Sequence, residues 1–84
     1  MSLRVFPEAD GVSLQGEIVG PGSGRVTIYR EQLDGTRTVA GTAQVAGGSF
    51  SFTDRTSTRP LLYRAVLTAP GTGIPYAALS RPIP

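Results

Sequence analysis

The chain has 84 residues and is expected to form one domain over residues 1–84, which at this size buries only about 60% of the surface that its unfolded chain exposes, so an enclosed active site is not expected. Its 11 Gly and 7 Pro disfavour a helical bundle, and 39% hydrophobic residues are too many for a disordered segment, so a small all-β domain fits best. The absence of Cys and His excludes disulfides and thiol or imidazole metal sites, and a net charge of +2 is too small for the basic stripe that nucleic-acid binding uses.

The first part of the chain predicts two strands. Leu3 and Val5 alternate with polar residues before Pro7, which indicates a short strand at the edge of a sheet. Residues 12–19 alternate more regularly and indicate a strand with one solvated side. No apolar run in the chain is long enough for a signal-peptide core or a membrane span, so neither membrane contact nor signal-directed export from Met1 is expected.

A β-hairpin is predicted next. Residues 25–31 and 37–45 both alternate at the strand period, and Asp34 and Gly35 between them tolerate the positive φ that a tight turn requires. The residues expected to face the core are Val26, Ile28, Val39, Gly41, Ala43 and Val45.

Two phenylalanines mark the strand that follows. Gly47 and Gly48 turn the chain into residues 49–53, where Phe50 and Phe52 alternate with Ser and Thr. This pattern predicts that both rings face the core and that their role is structural.

The most strand-like segment comprises residues 59–68. Pro60 biases the residue before it toward an extended conformation, so the chain enters this strand already straight. A last strand is predicted at residues 76–83, and the sequence leaves its inward face unassigned. Seven short strands with turn signals every 8 to 12 residues or so are typical of a two-sheet sandwich. The face of the 59–68 strand that is predicted to enter the core carries Leu61, Tyr63, Ala65 and Leu67.

Several of these segments resemble immunoglobulin and fibronectin type III domains. They are VTIYRE and LDGTRTVAG in the hairpin, GGSFSFTDRT in the next strand and LLYRAV in the sixth. The resemblance implies a seven-stranded antiparallel Greek-key sandwich. It also implies that Tyr63 is a structural residue, because a tyrosine near the start of the sixth strand of such domains hydrogen-bonds back to the connecting loop.

The residues that carry chemistry do not form a catalytic pattern. A hydrolytic triad needs a base, usually His, and the chain has none. The six carboxylates fall mostly in or beside turns, where Asp and Glu are ordinary solvated residues. Glu8, Asp10 and Asp54 are the best candidates for calcium ligands, but no loop has the ligand spacing of a calcium site. We therefore expect a non-enzymatic domain without a cofactor or metal.

The arginines offer two pairs that could bind a carboxylate. Arg30 and Arg37 are expected to face one another across the hairpin, and Arg55 and Arg59 share a loop. Such pairs either hold a carboxylate-bearing partner or keep a small sandwich soluble.

The sharper candidate for a binding surface combines Tyr29, Leu62, Arg64 and Val66. In an immunoglobulin-type arrangement the third and sixth strands are neighbours, so the outward faces of these residues would form one patch. Tyr and Arg are enriched at the binding hot spots of protein interfaces. In the alternative interpretation, Arg64 merely lies over Tyr29 as a surface stack.

The order of the motifs also resembles immunoglobulin-like modules of actinobacterial surface proteins and of the tail and capsid-surface proteins of their phages. The exclusive use of Arg over Lys is typical of GC-rich genomes. The resemblance implies a virion subunit, either a capsid decoration or a tail component, whose partners are shell or tail subunits or its own copies. Two alternatives stay open: a spacer or adhesin repeat of a secreted or cell-wall protein, and a carbohydrate-binding sandwich that presents Tyr29 and Tyr76 to a cell-surface glycan.

Overall fold

The structure, a computed structural model, describes residues 1–19, 23–55, 60–68 and 75–80. These ranges contain strands and turns and no helix, which confirms the all-β prediction. Within them no helix is long and apolar enough to cross a membrane. Arg59 and residues 81–83 of the predicted last strand lie outside the described residues.

Two strands at the start of the chain pair with each other. β1 (Ser2–Glu8) and β2 (Gly11–Glu17) run antiparallel, with Leu3 opposite Gly16. β1 is longer than the predicted edge strand and continues through Pro7. A proline is tolerated there because β1 lies at one end of the strand order, where one side of the strand has no neighbouring strand among the described residues.

The predicted hairpin is confirmed. β3 (Ser23–Glu31) and β4 (Arg37–Ala46) are antiparallel along their whole length. In the turn between them Gly35 has a φ of 88°, a conformation that glycine adopts without strain. The Asp34 side chain accepts a 2.9 Å hydrogen bond from the backbone N–H of Thr36, which holds the turn closed.

A β-bulge changes which residues of β4 face the core. Ile28 pairs with Gly41, whereas the next residue, Tyr29, pairs with Val39, so Ala40 is an extra residue on β4. On the N-terminal side of the bulge the alternation of β4 is reversed. Val39 is 59% exposed there, while Ala40 packs against the core. The prediction that Val39 faces inward is therefore wrong, because it assumed an uninterrupted period of two.

The remaining strands complete a single curled sheet. β5 (Ser49–Asp54) pairs with β2, and β6 (Leu62–Thr68) pairs with β3. Strands β1 to β6 form an antiparallel sheet in the order β1-β2-β5-β4-β3-β6 that curls into a half-barrel, and β7 (Pro75–Leu79) pairs with β6. In the described part of the chain β4 and β5 pair only at Ala46 and Ser49, next to their connecting turn.

The core lies inside the curl of the sheet. Phe50 is buried and its ring covers Gly16 of β2, while Phe52 is partly buried and packs against Gly41 of β4. Each aromatic ring therefore fills the space that a glycine leaves on a nearby strand. The buried hydrophobic residues are Leu3, Val12, Leu14, Ile18, Val26, Ile28, Ala43, Val45, Phe50, Tyr63, Ala65 and Leu67.

The structure confirms most of the predicted inward face of β6. Tyr63, Ala65 and Leu67 are fully buried, whereas Leu61 precedes the strand and is only partly buried. Ala78 of β7 is paired with Ala65 and packs against the core. Ala78 therefore belongs to the inward face of the last strand, which the sequence left unassigned.

Candidate functional site

The residues predicted to form a binding patch lie together on the outer face of β3 and β6. Tyr29 is directly opposite Arg64 in the strand register, Leu62 is opposite Glu31, and Val66 lies two residues beyond Arg64 along the strand. Paired residues of antiparallel strands project to the same side of a sheet, so these side chains share one surface. All of them are partly exposed.

Glu31 holds two arginines on this face. Arg64 Nε donates a 2.6 Å hydrogen bond to Glu31 Oε1, and Arg37 Nε donates a 2.9 Å bond to the same oxygen. The bond from Arg64 is the main reason that the pKa of Glu31 lies below its ordinary value. Both guanidinium groups are thus held in fixed positions at the surface by one carboxylate.

Arg37 also lies over the Tyr29 ring. Its Cζ is 5.8 Å from the ring centroid, within the range of a cation–π contact. In the alternative interpretation of the sequence Arg64 stacks on Tyr29, whereas in the structure Arg64 forms an ion pair with Glu31. Glu31 and Arg37 were not foreseen at this site, although the turn at Asp34 would have placed them opposite each other in the hairpin.

The bulge adds a further apolar residue to this face. Val39 is the β4 partner of Tyr29 and is 59% exposed. It extends the apolar surface of β3 and β6 across a third strand. We call the surface formed by Tyr29, Val39, Leu62, Arg64 and Val66 the outer patch.

A second group of polar residues lies on the opposite, inner face. Arg30 and Tyr63 are register partners, and both contact Asp54 at the end of β5. Arg30 forms a two-pronged ion pair, with Nε 2.7 Å from Oδ2 and Nη2 2.6 Å from Oδ1 of the Asp54 carboxylate. The Tyr63 hydroxyl donates a 2.6 Å hydrogen bond to Oδ2. We call these three residues the inner cluster.

The inner cluster corrects two predictions. Asp54 was expected to be a solvated turn residue or a calcium candidate, but it is 3% exposed and both of its oxygens are engaged. Arg30 and Arg37 do not face one another, because Arg30 points inward to Asp54 and Arg37 points outward to Glu31. The strand period would have predicted the inward direction of Arg30, because Arg30 follows Val26 and Ile28 at intervals of two residues.

The inner cluster has the properties of a structural group of residues. The bonds from Arg30 are the main cause of a lowered Asp54 pKa, and burial is the main cause of a raised Tyr63 pKa. At neutral pH the carboxylate is therefore charged and the phenol is neutral. Neither group is poised to exchange a proton near pH 7. The Tyr63 backbone is fixed as well, since its N–H donates a 2.9 Å bond to Ser80 Oγ.

The other candidate ligand residues are separated in the structure. Asp10 forms an exposed ion pair of 2.7 Å with Arg55, whereas Asp54 is buried with Arg30. The described ranges hold no group of three or more acidic residues able to bind a metal ion. Tyr76, the second aromatic residue of the carbohydrate hypothesis, pairs through its backbone with Leu67, and its side chain lies outside the described part.

A polar groove lies beside the corner where β4 turns into β5. It has a volume of about 510 Å³ and is open to solvent. Its walls include Gln44 and Ser49 at the corner, Glu17 of β2 and Arg4 of β1. The groove offers polar and charged groups of both signs.

The comparisons with known proteins add no family assignment: no family model, no curated protein and no solved structure matches this chain.

Proposed function

We propose that the chain is a non-enzymatic, immunoglobulin-like interaction module that docks on a protein surface through the outer patch. The strand order supports the sandwich part of this proposal. β1, β2 and β5 form one block and β4, β3, β6 and β7 form another, and in the described chain the strand pairing between the two blocks is limited to Ala46 with Ser49. Two blocks with so little pairing between them are what two facing sheets require.

The composition of the outer patch is the observation that carries the docking proposal. Tyr29, Leu62, Val66 and the 59% exposed Val39 lie on neighbouring strands, where an isolated domain usually places charged or small polar residues. Contiguous apolar surface of this kind, bordered by charges, marks contact sites.

The patch is also preorganised. The paired contacts of Glu31 with Arg37 and Arg64 fix two long side chains that would otherwise lose conformational freedom on binding. Two cations against one anion leave this surface net positive. A partner with an apolar surface and an exposed carboxylate fits it best, because guanidinium groups bind carboxylates with directional hydrogen bonds.

We propose a virion as the setting, with shell or tail subunits as partners. The support is the resemblance of the hairpin and sixth-strand motifs to modules of actinobacterial phage particles. A spacer or adhesin repeat of a cell-wall protein would use the same patch. A glycan site is less well supported, since Arg37 lies over the Tyr29 ring that would have to stack on a sugar.

Co-sedimentation of the purified chain with phage particles and with cell-wall preparations tests the docking surface. Arg64→Glu reverses a charge in the outer patch and also breaks the ion pair with Glu31. The matched variant Arg64→Glu with Glu31→Arg restores an internal pair while keeping the reversed charge at position 64.

Both variants should lose binding if Arg64 contacts the partner, because like charges would meet across the contact. Recovery of binding in the double variant would show that Arg64 serves only the internal pair. Equal sedimentation of wild type and both variants with every preparation would refute the docking proposal.

A further inference from the structure

One strand of the sheet has an open side that the outer patch does not use. β4 is paired with β3 along its length, but on its other side the described structure pairs it with β5 only at Ala46 and Ser49. Within residues 38–45, the backbone N–H and C=O groups that point away from β3 therefore form a row without strand partners in that part of the chain. Such a row is a template for another strand.

Apart from the bulge at Ala40, the open side of β4 lacks the features that normally protect an edge. β1 and β7, at the two ends of the strand order, contain Pro7 and Pro75, and β1 also carries Arg4. Residues 38–46, TVAGTAQVA, contain neither proline nor a charged residue. Natural proteins place proline and charge on edges to prevent pairing between molecules, so a strand of this length without either is suited to pairing.

We propose that a second copy of this chain adds to β4, so that two β4 strands pair antiparallel about a two-fold axis. Such an axis brings the same surface of both copies together. Paired residues of antiparallel strands project to the same side of a sheet, so the axis passes at one residue and not between two. At Thr42, near the middle of residues 38–45, it places each Thr42 opposite its counterpart. Because the segment carries no charge, self-pairing places no like charges opposite each other along it.

Charge complementarity at the two ends of the paired strands favours a second copy over another partner. Antiparallel pairing places Arg37 of one copy beside the β4–β5 corner of the other. There Ala46 pairs with Ser49, and Ser49 in turn pairs with Glu17. Arg37 is half exposed while it bonds Glu31 of its own copy, and Glu17 is exposed, so each copy offers a cation where its counterpart has an anion.

The groove at that corner provides the space for this contact. Gln44 and Ser49 form its near wall and Glu17 lies within it, in an open volume of about 510 Å³. Arg37 of the second copy can enter the groove while its neighbours pair with the end of β4. Thr42 is not part of the outer patch and Arg64 is not part of β4, so substitutions at these two residues test the two proposals separately.

A charge-pair experiment at the two-fold axis tests self-pairing. Thr42 is exposed, and Thr42→Lys places two like charges together only when two copies meet at this position. Sedimentation velocity of the wild-type chain over a concentration series should show reversible dimers. Thr42→Lys and Thr42→Glu should each weaken dimerisation at least about tenfold, and an equimolar mixture of the two should recover it.

Controls separate pairing from folding and from charge in general. Ala9→Lys adds the same charge in an exposed turn between β1 and β2 and should dimerise like the wild type. Circular dichroism melting confirms that each variant is folded. Amide hydrogen exchange should show protection within residues 38–45 that rises with protein concentration.

Three results would overturn the inference. The first is a wild-type chain that stays monomeric up to about 1 mM, the weak end of measurable association. The second is a folded Thr42→Lys variant that dimerises as well as the wild type. The third is a mixture of folded Thr42→Lys and Thr42→Glu chains that remains monomeric. Dimers that are lost on Arg64→Glu and kept on Thr42→Lys would place the contact on the outer patch.

Discussion

The Tyr63 hydroxyl and the Asp54 carboxylate are joined by a 2.6 Å hydrogen bond on the inner face of the sheet. The same carboxylate accepts two bonds from Arg30, so one buried anion connects β3, β5 and β6. A buried charge is tolerated only when it is paired and hydrogen-bonded. The three side chains are therefore stable as a set, and each of them needs the other two.

Asp54→Ala should lower the free energy of unfolding by about 3 kcal/mol, because it leaves Arg30 and the Tyr63 hydroxyl without their acceptor. Urea denaturation with an unchanged slope measures this loss. Asp10→Ala is the matched control, since it removes an exposed acid that also pairs with an arginine, and it should change little. Similar small losses for both variants would contradict the structural role of Asp54.

Tyr63→Phe removes only the hydroxyl and should cost about 1.5–3 kcal/mol, the range for a hydrogen bond to a charged group. Tyr63→Ala also empties the largest fully buried side-chain position and should cost about 3–5 kcal/mol, enough to prevent folding of a small domain. Thermal and urea unfolding of the two variants measure the difference. A neutral Tyr63→Ala would mean that the faces of β6 are reversed.

The pH dependence of stability should show the titration of Asp54. Its folded-state pKa is lowered from 3.8, mainly by the Arg30 bonds. A lowered pKa means that the unfolded chain takes up the proton first as the pH falls, so the stabilisation is complete above pH 3.8 and is lost as the pH drops through the folded-state value. Asp54→Asn should flatten the decline in unfolding free energy below that pH. An unchanged acid limb in this variant would exclude Asp54 as its source.

Gly41 should resist enlargement because a Cβ atom there would lie 2.7 Å from the ring of Phe52. Gly41→Ala should cost about 1–3 kcal/mol, as overpacking of a filled core does. Phe52→Leu shortens the opposing side chain and should relieve part of that cost, so the double variant should lose less than the sum of the two single changes. Strict additivity in denaturation experiments would show that the ring does not rest on Gly41.

The alternation of side chains in this chain predicts most of the fold. The strand period identified the hairpin, the buried face of β6 and the inward rings of β5, because each depends only on local spacing. It also placed Tyr29, Leu62, Arg64 and Val66 of the outer patch on one surface, because these positions follow from their strand faces once β3 and β6 are neighbours. The shared bonding of Arg64 and Arg37 to Glu31 depends on contacts between strands, and no local pattern contains that information.

Two other features depend on contacts between strands. The inner cluster was missed because charged residues are normally solvated, and burial of Asp54 is favourable only with Arg30 and Tyr63 beside it. The bulge at Ala40 was missed because β4 alternates plausibly without it. Its position is determined by the pairing of β4 with β3, in which Ile28 and Tyr29 skip one residue.

Two valines of β4 provide a direct test of this bulge. Val39 lies before it and is 59% exposed, whereas Val45 lies beyond it and is 4% exposed. Valine to threonine preserves shape and β-propensity but introduces a hydroxyl, which is costly only where it is buried without a partner. Val39→Thr should therefore change the free energy of unfolding by less than about 0.5 kcal/mol. Val45→Thr should cost about 1–3 kcal/mol. Urea denaturation of both variants under one set of conditions measures the contrast. If the two substitutions cost the same, the strand alternates without interruption, Val39 faces the core, and the outer patch loses its β4 residue.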